Sequence, residues 1–396
     1  MTLSSLFYEI GVWSGLIGFF SLGLLIFSGD TARYFNKNFG LDKIIKFQKK
    51  FSLIVTFFIT LHPLFFIISS KNITAFLIPD FQVLPLALGI TAFYILIIIM
   101  LASTFYKRIS YLVWQYLHVL TYILFFFAFY HAVNWGSDSE NIIFKIIYSI
   151  LFIAIIIGLI YRTQYKIKKR HSGKFFVKEI QQETKDTFSL FLTQEKTFKF
   201  QAGQFCFLRL NKDKLYARHP FTIASSPTEK NLRFTIKLAG RFTRFAQNLK
   251  KGEEVLLDGP FGIFTKKDNR KDLIFIAGGV GITPFLSLIK DNLDHNQKIT
   301  LLYGSKTKDN IIFKDELDKI QKPWFQKIYV LSQENENVSN VEKGYITKKL
   351  IQKYVKNPTN SLFYICGPES MKNSVKKALK EMKVPKKNIF IEDFFW

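Results

Sequence analysis

Five stretches of the chain run without a charged residue for longer than a globular core requires: 10–29, 51–70, 81–106, 109–137 and 146–161. About 20 apolar residues at 1.5 Å rise cover the hydrocarbon layer of a bilayer, so each stretch predicts a membrane-spanning helix, the last reaching back toward Asn141 with Lys145 snorkelling at the edge. After Lys174 the pattern changes to short apolar runs between turn residues, "GKFFVKEI", "FSLFL", "QFCFLRL" and "LRFTIKL", which predict a small antiparallel β-barrel. From Asp272 the order strand, glycine-rich turn, helix in "LIFIAGGVGITPFLSLI" predicts an α/β nucleotide-binding domain. The expected fold is multi-domain: an α-helical transmembrane bundle over 1–170, the antiparallel barrel over 171–266 and the α/β domain over 267–396.

The loops orient the spans. Arg33, Lys37, Lys43, Lys46, Lys49 and Lys50 follow the first span and Lys107 and Arg108 the third, while the other loops are poor in Lys and Arg. Positive loops stay in the cytoplasm, so the soluble half is expected there, on a multi-pass protein of the cell membrane. The first span does not read as a cleaved signal peptide, because Glu9 precedes it and no basic segment opens the chain.

Composition agrees with this division. Residues 1–170 carry 15 Lys/Arg and 6 Asp/Glu, and residues 171–396 the other 40 and 24. The net charge of +25 accompanies no nucleic-acid motif, so the expected partners are a lipid bilayer and a polyanionic cofactor, with no nucleic acid. Two cysteines, Cys206 and Cys366, lie too far apart in sequence to suggest a disulfide framework or a cysteine metal site.

Histidine inside a bilayer is costly and by default marks function. His62 lies in span two, before Pro63, and His118 and His131 both lie in span four. Their 13-residue separation rises about 20 Å but turns the two side chains about 140° apart. Counting from the outer ends, His62 precedes Lys71 by nine residues and His131 precedes Asp138 by seven, which sets these two level. Counting from the cytoplasmic ends would pair His62 with His118 instead. Span four is longer than a bilayer needs, so the outer count is the better guide, and His62 with His131 is the expected bis-imidazole site for haem.

"FQKKFSLIVTFFITLHPLFF" and "YLVWQYLHVLTYILFFFAFYHAV" resemble the ferric reductase and NADPH oxidase transmembrane family. That resemblance implies haem b, one or two groups, with His62, His118 and His131 as iron ligands. One position departs from it: Gln48 stands where the family has a fourth histidine, 14 residues before His62.

In the soluble half, His219-Pro220-Phe221-Thr222 resembles the flavin motif of NADPH oxidases, which implies FAD. Thr222 would offer a hydroxyl to the polar edge of the isoalloxazine, Phe221 a packing face, and His219 the place near the phosphates that related reductases give to arginine. Gly240, Arg241, Phe242 and Thr243 open a predicted helix whose first N–H groups suit a phosphate. Gly278, Gly279, Gly281, Thr283 and Pro284 resemble the GGxGITP motif of ferredoxin reductases and imply a nicotinamide cofactor. Ser305, Lys306 and Lys308, after the strand "ITLLYGS", favour NADPH over NADH through a 2′-phosphate. The resemblance further places Cys366, with Gly367 and Pro368, beside the nicotinamide during hydride transfer. In the ending "FIEDFFW" it gives Phe394 the role of covering the flavin, ahead of Trp396, and Glu392 that of orienting the site.

The expected activity is an NAD(P)H-dependent oxidoreductase passing electrons through FAD and haem to oxygen or to a ferric or cupric complex. The rival expectation is a flavin diaphorase anchored by a membrane domain whose haem site has decayed.

Overall fold

Thr2 opens the first helix, its hydroxyl accepting from the Ser5 N–H, and Gly40, at a φ of 81°, turns the chain straight into the second. The computed structural model describes residues 2–106, 108–137, 139–170, 174–194, 198–210, 218–267, 271–293, 297–334 and 341–393. Its first helices are α1 (Leu3–Phe39), α2 (Leu41–Ser70), the short α3 (Thr74–Leu77), α4 (Leu84–Thr104), α5 (Tyr111–Trp135) and α6 (Ile142–Arg170). All but α3 are long and apolar enough to cross a membrane. Because α2 begins at Leu41, the stretch holding Lys43, Lys46, Lys49 and Lys50 is already helical. Depth counted from that end is therefore misjudged.

The chain divides into two units, Met1–His171 and Ser172–Trp396. In the first, α1 packs on α2 through Gly11, Gly15 and Gly18, which share one face. A Cβ at these positions would lie 3.2 Å from Phe66, 2.4 Å from His62 and 2.9 Å from Ile59. Helices in lipid gain no hydrophobic drive from meeting one another, so small residues that let backbones approach take over that task. Phe125, Tyr148 and Ile155 fill the centre of the bundle.

The second unit begins with β1 (Phe175–Thr184), β2 (Thr187–Gln194), β3 (Phe205–Leu210), β4 (His219–Thr222), β5 (Leu232–Lys237), α7 (Arg241–Gln247) and β6 (Glu254–Phe261). The strands form an antiparallel sheet in the order β4-β3-β6-β1-β2-β5. Its two edges meet where Ile223 bridges Phe234 and the Ala224 N–H donates to the Arg233 carbonyl at 2.8 Å, closing the barrel over Phe188, Leu190, Leu208 and Phe234.

The chain then alternates β7 (Leu273–Gly278), α8 (Thr283–Asp291), β8 (Ile299–Ser305), α9 (Lys314–Lys319), β9 (Phe325–Leu331), β10 (Val341–Lys343), α10 (Lys348–Tyr354), β11 (Leu362–Cys366), α11 (Glu369–Glu381) and β12 (Ile389–Glu392). All neighbours in the order β10-β9-β8-β7-β11-β12 are parallel. Both faces are covered, which is why β7 reads as one continuous apolar run. Phe275 and Ala277 pack on the α8 side with Phe285, and Ile274 and Ile276 on the α11 side with Val375 and Leu379. The strand order reverses between β7 and β11, and α/β sheets bind nucleotides at such a crevice.

Candidate redox sites

His62 and His131 face one another across the bundle with ring centroids 6.1 Å apart. The Nδ1 of His62 meets the Gly11 carbonyl at 2.9 Å and that of His131 meets the Pro85 carbonyl at 3.0 Å. A carbonyl can only accept, so each Nδ1 carries the proton and donates, which leaves Nε2 with its lone pair free. Gly15 of α1 and Gly89 of α4 seat the two rings: a Cβ on Gly89 would lie 2.7 Å from the His131 Nδ1. Two nitrogen–metal bonds of about 2.0 Å, with about 1 Å more from each nitrogen to its ring centre, span about 6 Å, so the separation suits one iron held between the rings. Both histidines line a cavity of about 300 Å³ whose other walls include Phe19, Phe66, Phe93 and Leu96. These residues fit a haem.

At the level of Gln48 the chemistry differs. The Gln48 amide donates to the Ser28 hydroxyl at 3.2 Å, and the exposed His118 stacks on Trp114 with centroids 5.0 Å apart. Nearby, the Asp30 Oδ1 accepts from the Tyr122 hydroxyl at 2.6 Å and from Arg162 at 3.0 Å, and Arg162 also donates to the Tyr122 oxygen at 2.8 Å. Asp30 is 2% exposed and lies against Gly158, where a Cβ would crowd it at 3.2 Å. This ionic cluster ties α1, α5 and α6 together.

In the barrel, β4 carries His219, Phe221 and Thr222 to the closing edge, where Phe205 pairs with Thr222. The His219 ring rests on Phe242 of α7 at 4.0 Å, and Phe221 stacks on the same ring at 6.0 Å. His219, Pro220 and Phe221 are half-buried and Phe242 is buried. Burial lowers the His219 pKa, which leaves a neutral ring in place of the cation that a phosphate partner would need. The Thr243 hydroxyl accepts from the Ala239 and Gly240 N–H groups at 2.9 and 3.0 Å and donates to the Gly240 carbonyl, so it serves the turn before α7. Arg241 is exposed at the start of that helix, beside Gly240.

At the crevice of the parallel sheet the turns after β7 and β11 press together. A Cβ on Gly281 would lie 2.3 Å from the Cys366 carbonyl oxygen, one on Gly278 would lie 2.8 Å from Pro368, and one on Gly367, whose φ is 156°, would lie 2.9 Å from the Gly278 nitrogen. Gly279 takes a φ of 54°, and Thr283 and Pro284 open α8 behind it, with the Thr283 hydroxyl donating to the Val280 carbonyl at 3.0 Å. Cys366 pairs with Ala277 on one side and Glu392 on the other. Burial, and then the Glu392 carboxylate, push its thiol well above its ordinary pKa, so it acts as a neutral packing group and not as a nucleophile. Phe394 and Trp396 lie outside the described residues. Asp393, two residues after Ile391, reaches the buried Lys372 of α11, which also pairs with Glu369 at 2.7 Å. Ser305 ends β8 and Lys306 follows it, and their carbonyls accept from the Ser332 and Gln333 N–H groups at 3.1 and 2.8 Å.

Barrel and sheet are locked by Arg233, a residue the sequence did not single out. Buried at 2% exposure, it pairs with Glu183 at 2.7 Å and with Glu316 of α9 at 2.5 Å, and stacks over Phe313 at 4.4 Å. Lys290 joins Glu316 to Glu229 at 3.1 and 3.2 Å.

A flavin-type barrel joined to a parallel nucleotide sheet, in a chain whose first unit holds paired histidines among apolar helices long enough to cross a membrane, defines a membrane-bound oxidoreductase module. Comparison with known proteins agrees: residues 14–129 match the ferric reductase like transmembrane component, 173–265 an FAD-binding domain and 275–377 the oxidoreductase NAD-binding domain. The chain thus fuses a ferric reductase-like transmembrane part to an FAD- and NAD-binding reductase. Over 195 residues it is 33% identical to one component of the Na(+)-translocating NADH-quinone reductase of Pseudomonas aeruginosa, covering 44% of this chain and 48% of that one. The corresponding component from Neisseria meningitidis is 31% identical over the same length. The chain spans about half the length of the curated relatives it matches. Among solved structures, the cytochrome P450 reductase of Amycolatopsis has a TM-score of 0.51 at 22% identity, over 56% of this chain and 69% of that one. The FAD/NAD-binding domain of the Vibrio cholerae nitric oxide dioxygenase gives 0.51 at 21%, over 56% and 98%. These two share the fold of the second unit.

Proposed function

We propose that this protein moves electrons from cytoplasmic NAD(P)H through FAD to haem b and on to an acceptor at the outer face. FAD, when bound, takes both electrons of a hydride and releases them singly, which haem iron accepts one at a time. The observation that carries the reading is the paired histidines: both Nδ1 atoms are committed to carbonyls, so each Nε2 keeps its lone pair, and the two ring centroids lie 6.1 Å apart. His62 and His131 would hold the iron, and Gly15 and Gly89 fix their rings. His219, Phe221, Thr222 and Phe242 would hold the flavin, the aromatic rings packing on it and Thr222 meeting its polar edge. Gly278, Gly279 and Gly281 would admit the nicotinamide cofactor's pyrophosphate to the crevice, with Cys366 and Pro368 beside the nicotinamide ring, and Phe394 would cover the flavin until the nicotinamide displaces it. The positive loops support an orientation with the reductase unit in the cytoplasm. The acceptor class is oxygen, giving superoxide, or a ferric or cupric complex.

The test is a haem spectrum of the purified protein together with His62→Leu and His131→Leu. The parent is expected to show a low-spin signal reducible by NAD(P)H, and each variant to lose that signal while keeping NAD(P)H-driven dye reduction. Variants with the full parental haem spectrum would refute the assignment. The anchored diaphorase has one observation in its favour, the replacement of a histidine by Gln48 bonded to Ser28. A purified parent without haem but with dye reduction would establish it.

A further inference from the structure

Beyond the crevice, the sheet edge that would receive the adenosine half of the nicotinamide cofactor carries a fixed carboxylate. β8 lies next to β7 on the side away from β11, so with pyrophosphate at the β7 turn the adenosine ribose meets the end of β8. There the chain past β9 stays tied to the chain past β8. The Ser332 N–H donates to the Ser305 carbonyl and the Gln333 N–H to the Lys306 carbonyl, just beyond the end of the parallel ladder. The next residue is Glu334, half-buried, whose Oε2 accepts from the Lys308 N–H at 3.0 Å.

Two consequences follow from that one hydrogen bond. The Lys308 amide, which could have served an anion, is already occupied by a carboxylate. Glu334 is held in place by the backbone of the segment that carries the expected phosphate ligands. A ribose 2′-hydroxyl can donate to the other carboxylate oxygen, as acidic residues do in NAD sites, whereas a 2′-phosphate would bring a second anion against the first. Lys306 and Lys308 are exposed. Long ammonium side chains in water offset such repulsion weakly, because they lose rotamer freedom and are screened by salt.

We propose that Glu334 makes this protein select NADH over NADPH, with the ribose 2′-position as the point of discrimination. The inference rests on the reductase reading above and reverses the preference that Ser305, Lys306 and Lys308 suggest in the sequence. The experiment is steady-state ferricyanide reduction by the full-length protein in membranes, with each nucleotide, for the parent, Glu334→Gln and Glu334→Asp. The parent is expected to favour NADH in kcat/KM by about tenfold or more, the scale set by a close pair of like charges. Glu334→Gln should lower the KM for NADPH, raise that for NADH and bring the two within a few-fold, and Glu334→Asp should keep the parental order. Flavin absorbance reports that each variant is folded. A parent that prefers NADPH, or an unchanged ratio in folded Glu334→Gln, overturns the inference while leaving the reductase reading standing. Reduction by neither nucleotide overturns both.

Discussion

Gly15 and His62 stand in a contact that no other residue at position 15 would permit, since a Cβ there would lie 2.4 Å from the imidazole Nδ1. The obstructed atom is the one that holds the ring to the Gly11 carbonyl. Gly15→Leu is therefore expected to rotate or expel the imidazole. It should cut haem affinity by about 10–100-fold, the usual effect of disturbing the groups that orient a metal-bound histidine. Haem per chain in the purified variant checks this, with dye reduction unchanged as the sign that the reductase unit is intact.

Cys366 pairs with both neighbouring strands and is buried, so its removal leaves a small void at the end of β11, at the crevice proposed for the nicotinamide. Cys366→Ala is expected to slow hydride transfer by about 10–100-fold through misplacement of the ring, with FAD content unchanged. Stopped-flow reduction by NAD(P)H measures it.

Glu316 gives the reductase unit an acid-sensitive joint. Burial works to raise its pKa, but the attraction of Arg233 and Lys290 prevails and holds it below the ordinary 4.5. A carboxylate depressed in the folded state contributes stability that is fully present above about 4.5 and is lost as pH falls from there through the folded value. Acid unfolding should accordingly set in below that pH, and Glu316→Gln should flatten the dependence. Arg233→Met, which strands Glu183, is expected to cost about 3–5 kcal/mol in denaturant titrations.

At the other membrane level, Gln48→His is expected to restore a second imidazole opposite the region of His118. The expected product is a protein with an additional haem whose six-coordinate spectrum resists carbon monoxide. An unchanged haem count in the folded variant would show that His118 does not share a site with position 48.

The five spans, the barrel and the nucleotide sheet were legible in the sequence because each has its own apolar period, and the outer count set His62 level with His131. What stayed hidden depended on meetings between distant positions. Gly15 and Gly89 look like ordinary membrane glycines until the rings they seat are seen. Arg233 reads as a strand residue, since alternation along β5 says nothing about Glu316 on a helix 83 positions later. Gly240 and Thr243 were legible as a turn and helix start, but the sequence could not tell that the Thr243 hydroxyl is spent on the backbone. Asp30 and Arg162, opposite charges that directly follow the uncharged stretches 10–29 and 146–161, are a usable sequence signal for pairing between those two helices.

That pairing reaches into how the protein is made. Asp30 and Arg162 lie 132 residues apart. At ribosomal speeds of roughly 5–20 residues per second, the first helix enters the membrane about 7–26 s before its counter-ion is synthesised. Tyr122, 92 residues after Asp30, arrives first and can offer its hydroxyl, but the Asp30 carboxylate has no counter-ion until Arg162 follows, and an unpaired charge in lipid costs several kcal/mol. The first helix is thus left unfinished by design of the sequence, and the arrival of α6 is the event that seals the bundle just before translation of the reductase unit begins.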